Sequence, residues 1–318
     1  MQVSTIIPTY NRLEDLDKCL NSLIYQTFLP KEIIIVDDSD NDEIENLIEQ
    51  RKEEFKKKDV LLRYIRNEKE KSITIARNIG VENTNGDIIL FLDSDVILNE
   101  DYIKEILKVY KEQQNALGVQ GHISGIRMDL SPPKKINNWY FLFFRRLEKN
   151  RCRVLPSTKT TYPYLVDKII SCEWISGSNQ SYKKEIFEEF KFDENYKKYS
   201  PGEDVDFSYR IFKKYPDSLY MTPHAKLIHN VSKIGRHPKR ELINLKEIYT
   251  LYFFYKNINQ TFKNKLIFLA DRIIHLILAV YYQRQKRILQ FKYMIVAYVM
   301  SIIHLKEIKE GNLEFFNI

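Results

Sequence analysis

Residues 86–96 read GDIILFLDSDV. Gly86 opens the stretch as a turn residue, and Ile88-Ile89-Leu90-Phe91-Leu92 continue it as an unbroken apolar block of strand length. Such a block suits a strand covered on both faces, as in a parallel sheet. It stops abruptly at Asp93-Ser94-Asp95, placing two carboxylates at the C-terminal end of a buried strand, where open α/β sheets bind ligands. Side chains alternate along a strand, so Asp93 and Asp95 point the same way if the extended backbone persists. Two carboxylates that close repel each other unless a cation lies between them. Mg²⁺ or Mn²⁺, with a diphosphate supplying further oxygens, satisfies that arrangement. A solvated acidic turn is the commoner fate of an isolated D-x-D, so the flanking sequence has to decide.

Upstream, Val3–Ile7 reads as a first strand ended by Pro8, and Thr9-Tyr10-Asn11-Arg12 form a loop in which Asn11 can cap a helix. Leu13, Leu16, Leu20, Leu23 and Ile24 then recur at helical spacing. Ile33-Ile34-Ile35-Val36 is a second buried strand, again ending in acid at Asp37-Asp38-Ser39-Asp40. A polar helix is predicted from Asp42 to about Lys57, a third strand over Leu61–Ile65, and a helix over Ile73–Val81 that contains Ala76-Arg77-Asn78. Strand and helix alternate with short connections, the pattern of a parallel α/β sheet. Neither G-x-G-x-x-G nor G-x-x-x-x-G-K-[ST] occurs, which disfavours a dinucleotide dehydrogenase and excludes a P-loop NTPase.

Downstream, a helix is predicted from Val96 to about Gln114 and a strand over Leu117–Ser124. The pattern weakens from Arg127 to Val154, where Trp139 and the aromatic run Tyr140–Phe144 suit a flap, an acceptor surface or plain core. Cys172–Asn179 reads as a strand and a glycine turn, with a helix from about Lys183. Pro201-Gly202-Glu203-Asp204 reads as a helix start bearing acid in its first turn.

The 318 residues leave room for one large domain with an appendage. The net charge of +7 is uneven: from Lys233 to the end, 15 Lys/Arg face 6 Asp/Glu, and the preceding residues carry 35 against 37. Leu266–Tyr282 and Phe291–Leu305 are strongly apolar yet shorter than a bilayer span and interrupted by charge. They read as amphipathic helices that either pack on the domain or lie in a membrane interface, their flanking Lys/Arg suiting an anionic surface. Three cysteines with no C-x-x-C argue against a disulfide framework or zinc cluster and for a reducing compartment. The strand-like opening has no signal peptide before it, so a cytoplasmic location is expected.

Taken together, STIIPTYNR, EIIIVDDSD, ARNIGVENTNGDIILFLDSDV, WISGSNQSYKK and GEDVDFSYR resemble the family 2 inverting glycosyltransferases of GT-A fold. The resemblance covers roughly residues 1–235. It implies an α/β, Rossmann-like, mostly parallel sheet flanked by helices, carrying nucleotide-sugar binding and catalysis; 236–318 lies outside it and reads from its own residues as a basic amphipathic C-terminal helical region at a membrane surface or on the domain. The resemblance further implies that Pro8, Thr9, Tyr10 and Asn11 border the nucleotide and that Asp38 accepts a hydrogen bond from the base, most often uracil. Arg77, Asp93 and Ser94 would belong to the same nucleotide site. Asp95, with Asp93 and His229, would hold a divalent metal (Mn²⁺ or Mg²⁺), and Gly177, Ser178 and Asn179 would present the acceptor. Asp204 resembles the catalytic base, supported by Glu203.

In-line inversion matches these residue types, since one carboxylate takes the acceptor proton while the nucleoside diphosphate leaves from the opposite face. Processive members carry a Gln-x-x-Arg-Trp block, whereas the tryptophans here, Trp139 and Trp174, sit in no such block, so addition of a single sugar is expected. The expected partners are a nucleotide-sugar donor, a glycan or lipid-linked acceptor and an anionic membrane surface at the C-terminal region, with no nucleic acid. The alternatives are a sugar nucleotidyltransferase, which usually needs a basic glycine-rich loop where Thr9-Tyr10-Asn11 stand, and a non-catalytic nucleotide-sugar-binding protein.

Overall fold

A computed structural model describes the chain apart from residues 125–150, 164–165, 200, 233, 235–237, 284–287 and 317–318. The aromatic run 139–144 therefore lies outside the described residues. The first half alternates strand and helix as the sequence predicts: β1 (Val3–Thr9), α1 (Leu13–Ile24), β2 (Glu32–Asp37), α2 (Glu43–Lys56), β3 (Leu61–Arg66), α3 (Ile73–Glu82) and β4 (Ile88–Phe91). β1 to β4 run parallel in the order β3-β2-β1-β4. Sheet order reverses at β1, with β2 on one side and β4 on the other, and a crevice opens at the carboxyl ends of strands at such a switch point.

β5 (Val96–Leu98), α4 (Tyr102–Glu112), β6 (Gly118–Ser124), β7 (Ile170–Cys172), β8 (Gln180–Lys183), α5 (Glu203–Lys214) and β9 (Leu219–His229) complete the central body. The nine-stranded sheet continues from β4 through β8, β6 and β9 to β5, with β7 also on β9. β8 is antiparallel to both β4 and β6, so the sheet is mixed on this side. Three local expectations change. Val96–Leu98 is a short strand on β9 and the helix starts only at Tyr102. The segment from Lys184 to Glu188 is a single 3-10 turn. Asn11 does not cap α1: it has φ 53°, and its N–H donates to Ser39 Oγ at 2.8 Å.

Both sheet faces are covered, as the unbroken apolar strands require. Ile33 and Ile35 point to a core with Leu16, Leu20 and Leu23 of α1 and Ile44 and Ile48 of α2, while Ile34 and Val36 point to the opposite core. That second core is aromatic: Phe192 stacks on Phe207 of α5 with ring centroids 4.1 Å apart, and Phe91 meets Phe192 edge-on at 5.2 Å.

The C-terminal helices are α6 (Lys239–Asn257), α7 (Phe262–Gln283), α8 (Ile288–Ile303) and α9 (Leu305–Glu310). The helix α6, which the two sequence readings of the apolar runs did not cover, packs on the domain. Its Phe253 and Phe254 enter the aromatic core, and its Tyr249 and Tyr252 flank buried Tyr196. Fully buried Asp206 of α5 accepts from Lys256 Nζ at 2.9 Å and Asn257 Nδ2 at 2.6 Å. α7 lies on α6 through Phe268, stacked on Phe254 at 4.0 Å, and through Arg272, which donates to Glu247 at 2.9 Å. No helix among the described residues is long and apolar enough to cross a membrane.

Candidate active site

The carboxyl ends of β1, β2 and β4, the end of β9 and the start of α5 bring together most of the residues singled out in the sequence. β4 ends at Phe91, so Asp93 and Asp95 are carried by the turn beyond it and not by strand alternation. One ring nitrogen of His229 and one carboxylate oxygen each from Asp93 and Asp95 lie within 4.8 Å of one another. His229 Nε2 is 3.0 Å from Asp95 Oδ1 and 3.9 Å from Asp93 Oδ2. β5 explains the meeting: Val96 pairs with His229 across the antiparallel β5–β9 ladder, which sets the histidine beside the acidic turn. His229 is the last residue of the eleven-residue strand β9.

Asp95 is almost wholly buried and its second oxygen is also occupied. Ser232 N–H donates to Oδ2 at 2.9 Å and Arg12 Nη1 at 3.2 Å. Burial alone would raise its proton affinity, but the hydrogen bonds from His229 and Ser232 and the nearby cations hold it below the usual carboxylate range. Asp93 is pushed up, first by burial and then by Asp95, with Arg77 opposing. Burial lowers the proton affinity of His229, and the two aspartates more than reverse that. Oxygen, oxygen and imidazole nitrogen on one side of a buried turn form a donor set that fits Mn²⁺ or Mg²⁺ when further oxygens come from a ligand.

Arg77 links this cluster to the start of α5. Its side chain is buried, lying 5.3 Å over the Phe192 ring. Nη1 donates to Glu203 Oε1 at 3.0 Å, Nη2 donates to the Gly177 carbonyl at 3.1 Å, and Nη2 stands 3.7 Å from Asp93. Gly177 N–H in turn donates to Asp204 Oδ2 at 2.8 Å. A Cβ on Gly177 would stand 2.9 Å from Arg77 Nη2 and 3.1 Å from Asp204 Cβ, so the close approach of these two side chains requires glycine. Glu203 is pushed up to about 8 by burial and then by the Asp204 charge, with Arg77 offsetting only part.

Ser178 contributes its carbonyl to Asp93 N–H at 3.1 Å. Asn179 is different from the sequence expectation. It is fully buried, its Nδ2 donates to Gly121 O at 3.1 Å, and it braces the loop from beneath instead of lining an open surface. Thr9, Pro8 and Ser94 are buried, and Thr9 Oγ1 and Ser94 Oγ have no hydrogen-bond partner among the described residues. Asp38 is buried at the end of β2 with both oxygens engaged, by Asn67 Nδ2 at 2.6 Å and by Tyr199 Oη at 2.9 Å. The Tyr10 ring stacks on Tyr199, with centroids 5.6 Å apart and planes inclined by 28°. Arg12, Ser232 and Tyr199 escape a sequence reading; no local pattern marks them, since each meets its partner only through the fold.

The sequence profile of glycosyl transferase family 2 matches residues 4–172. The chain belongs to glycosyl transferase family 2. Among curated relatives of this family 2 chain, glycosyltransferase GlyA of Streptococcus pneumoniae serotype 4 is 28% identical over 192 residues, 60% of this chain and 26% of GlyA. An uncharacterized glycosyltransferase of Rickettsia felis is 38% identical over 111 residues, 35% of this chain and 17% of that protein. The chain thus spans about a quarter or less of the length of these relatives. Poly(ribitol-phosphate) beta-N-acetylglucosaminyltransferase TarP of Staphylococcus aureus is 32% identical over 128 residues, 38% of each chain. The fold is GT-A: a crystal structure of S. aureus TarS 1-349 aligns with TM-score 0.57 at 15% identity, covering 99% of this chain and 88% of that one. GalNAc-T7 with UDP, GalNAc and Mn²⁺ aligns with TM-score 0.55 at 17% identity, covering 80% of this chain and 50% of that one.

Proposed function

We propose that this family 2 protein is a metal-dependent, inverting glycosyltransferase that moves a single sugar from a nucleotide sugar, by preference a UDP-sugar, to a glycan or lipid-linked acceptor. The observation that carries this reading is the Arg77 bridge. One buried guanidinium ties the Asp93 side of the metal-type cluster to Gly177 and Glu203, and Gly177 holds Asp204. In-line displacement needs a leaving-group site and a carboxylate base held in one fixed arrangement, and this guanidinium links the two.

Asp93, Asp95 and His229 would hold the metal, which as a Lewis acid stabilises the negative charge gathering on a departing diphosphate. Arg77 adds fixed positive charge in a buried setting, where such charge acts strongly. Asp204 takes the acceptor hydroxyl's proton. Glu203, its proton affinity raised by burial and by the neighbouring Asp204 charge, is the hydrogen-bond partner of Arg77 and supports the base from beside it. TarS in complex with UDP, and GalNAc-T7 with UDP and Mn²⁺, support the choice of nucleotide and metal.

Residues 1–235 would be the catalytic body, and 236–318 would brace it through α6 and meet an anionic membrane surface through α7 and α8, on the cytoplasmic face. Both helices lie on α6 with their inner faces and expose apolar stripes outward: Leu266, Leu269, Ile273 and Ile277 on α7, and Ile295, Val299 and Ile302 on α8. Basic residues predominate around them. A panel of nucleotide sugars assayed for Mn²⁺-dependent release of the nucleotide tests the enzyme reading, and absence of turnover and of nucleotide binding across the panel would remove it. Co-sedimentation with phosphatidylglycerol vesicles, and not with phosphatidylcholine vesicles, tests the membrane reading; equal recovery with both overturns it.

A further inference from the structure

Asp38 is the carboxylate expected to receive the nucleobase, yet it has no free side. It is 1% exposed, and Tyr199 Oη and Asn67 Nδ2 take one oxygen each. Tyr199 also stacks on Tyr10, the aromatic residue at the end of β1 that borders the same pocket. A flat ring lying against Tyr10 and presenting a single donor to Asp38 reproduces the contacts a pyrimidine imide N–H would make there. We infer that Tyr199 is a resident occupant of the base pocket, a built-in competitor that donor binding must displace.

Tyr199 stands between two residues of positive φ. Lys198, immediately before it, sits at φ 56°, a left-handed conformation that a lysine adopts only at a cost. Gly202, three residues after it, sits at φ 102° and leads directly into Glu203 and Asp204. Lys198 is itself anchored, its carbonyl accepting from Ile73 N–H at 3.2 Å. Tyr199 thus lies between a backbone bond to Ile73 of α3 and the glycine at the head of α5. Filling the base site and setting the approach to the catalytic pair become one event, so acceptor chemistry would wait for the correct nucleotide.

The inference rests on Asp38 being the base-recognising carboxylate, and the test separates the two. UDP and inorganic pyrophosphate, each with Mn²⁺, are titrated by calorimetry into the full chain as wild type, Tyr199→Ala, Tyr199→Phe and Asp38→Asn. If the pocket is mostly closed, emptying it raises apparent UDP affinity by the inverse of the open fraction. Tyr199→Ala is therefore expected to bind UDP on the order of tenfold more tightly than wild type. Tyr199→Phe, which keeps the stack and loses the hydrogen bond, falls between, and pyrophosphate binding is the same in all three. Hydrogen exchange in the peptide spanning 196–203 is expected to speed up when wild type is saturated with UDP.

Equal or weaker UDP binding by Tyr199→Ala, with Asp38→Asn still weakened, would make Tyr199 a wall of the pocket and overturn the inference alone. Asp38→Asn binding UDP as wild type does would remove the base-pocket assignment and the competitor with it.

Discussion

Replacing Glu203 by Gln separates two opposite accounts of the acidic pair at the head of α5. Glu203 is buried, bonded to Arg77 at 3.0 Å and flanked by Asp204, and its carboxyl is pushed from 4.5 up to about 8. Between those limits the unfolded chain has released its proton and the folded chain still holds it. The wild type therefore loses stability as pH rises through that window, by roughly 1.4 kcal/mol per pH unit, to on the order of 5 kcal/mol above pH 8. The amide of the Glu203→Gln variant would keep an acceptor for Arg77 and carry no proton to lose. Urea unfolding followed by tryptophan fluorescence at pH 5 and pH 8.5 measures the difference. The two proteins are expected to have similar stability at pH 5, and the Glu203→Gln variant to be the more stable by a few kcal/mol at pH 8.5. If Glu203 is instead ionised and paired with Arg77, the substitution strands a buried guanidinium and costs about 3–5 kcal/mol. A Glu203→Gln variant less stable than wild type at pH 8.5 would refute the reasoning, because the signs are opposite.

Asp204→Asn is expected to lower kcat by roughly 10²–10⁴ while leaving the UDP dissociation constant within about twofold of wild type, measured by steady-state kinetics and calorimetry. Gly177→Ala forces a Cβ between Arg77 and Asp204, so a loss of about 1–3 kcal/mol in thermal or urea unfolding and a fall in kcat are expected. Asp206→Ala takes a buried carboxylate away from Lys256 and Arg210 and is expected to cost about 3–5 kcal/mol in urea unfolding. A chain truncated after residue 235 loses Phe253, Phe254, Lys256 and Asn257 from the core, and is expected to show no cooperative melting; a native-like transition in that fragment would make the C-terminal region a true appendage.

The elements legible in the sequence are those whose signal is local. Ile33–Val36 and Ile88–Phe91 are apolar without interruption because both sheet faces are covered, and each ends in the acid that marks the carboxyl edge. The Glu203-Asp204 pair at the head of a helix is equally plain. β5 reads as helix because three apolar residues after a D-S-D turn are too few to set a period. β9 goes unread because Pro223 interrupts an alternation otherwise visible in Ala225, Leu227 and the polar residues between. Without β9, the strand pairing that sets His229 against Asp95 is out of reach.

Contacts between residues distant in the chain leave no trace at all. Arg12 and Ser232 saturating Asp95, Tyr199 on Asp38, and Asn179 turned inward to Gly121 depend on how loops meet over the sheet edge. The tail is ambiguous for a related reason. An apolar stripe reads alike whether it meets protein or lipid, and only the packing of α6 and α7 shows which side chains the domain takes up.

The most direct test of the central claim is a Mn²⁺ titration of wild type and Asp95→Ala in the presence and absence of UDP, followed by the paramagnetic resonance of free Mn²⁺. The account predicts that wild type takes up one Mn²⁺ tightly only when UDP is present and that Asp95→Ala takes up none. Equal uptake by both proteins, or nucleotide binding that ignores Mn²⁺ altogether, would contradict it.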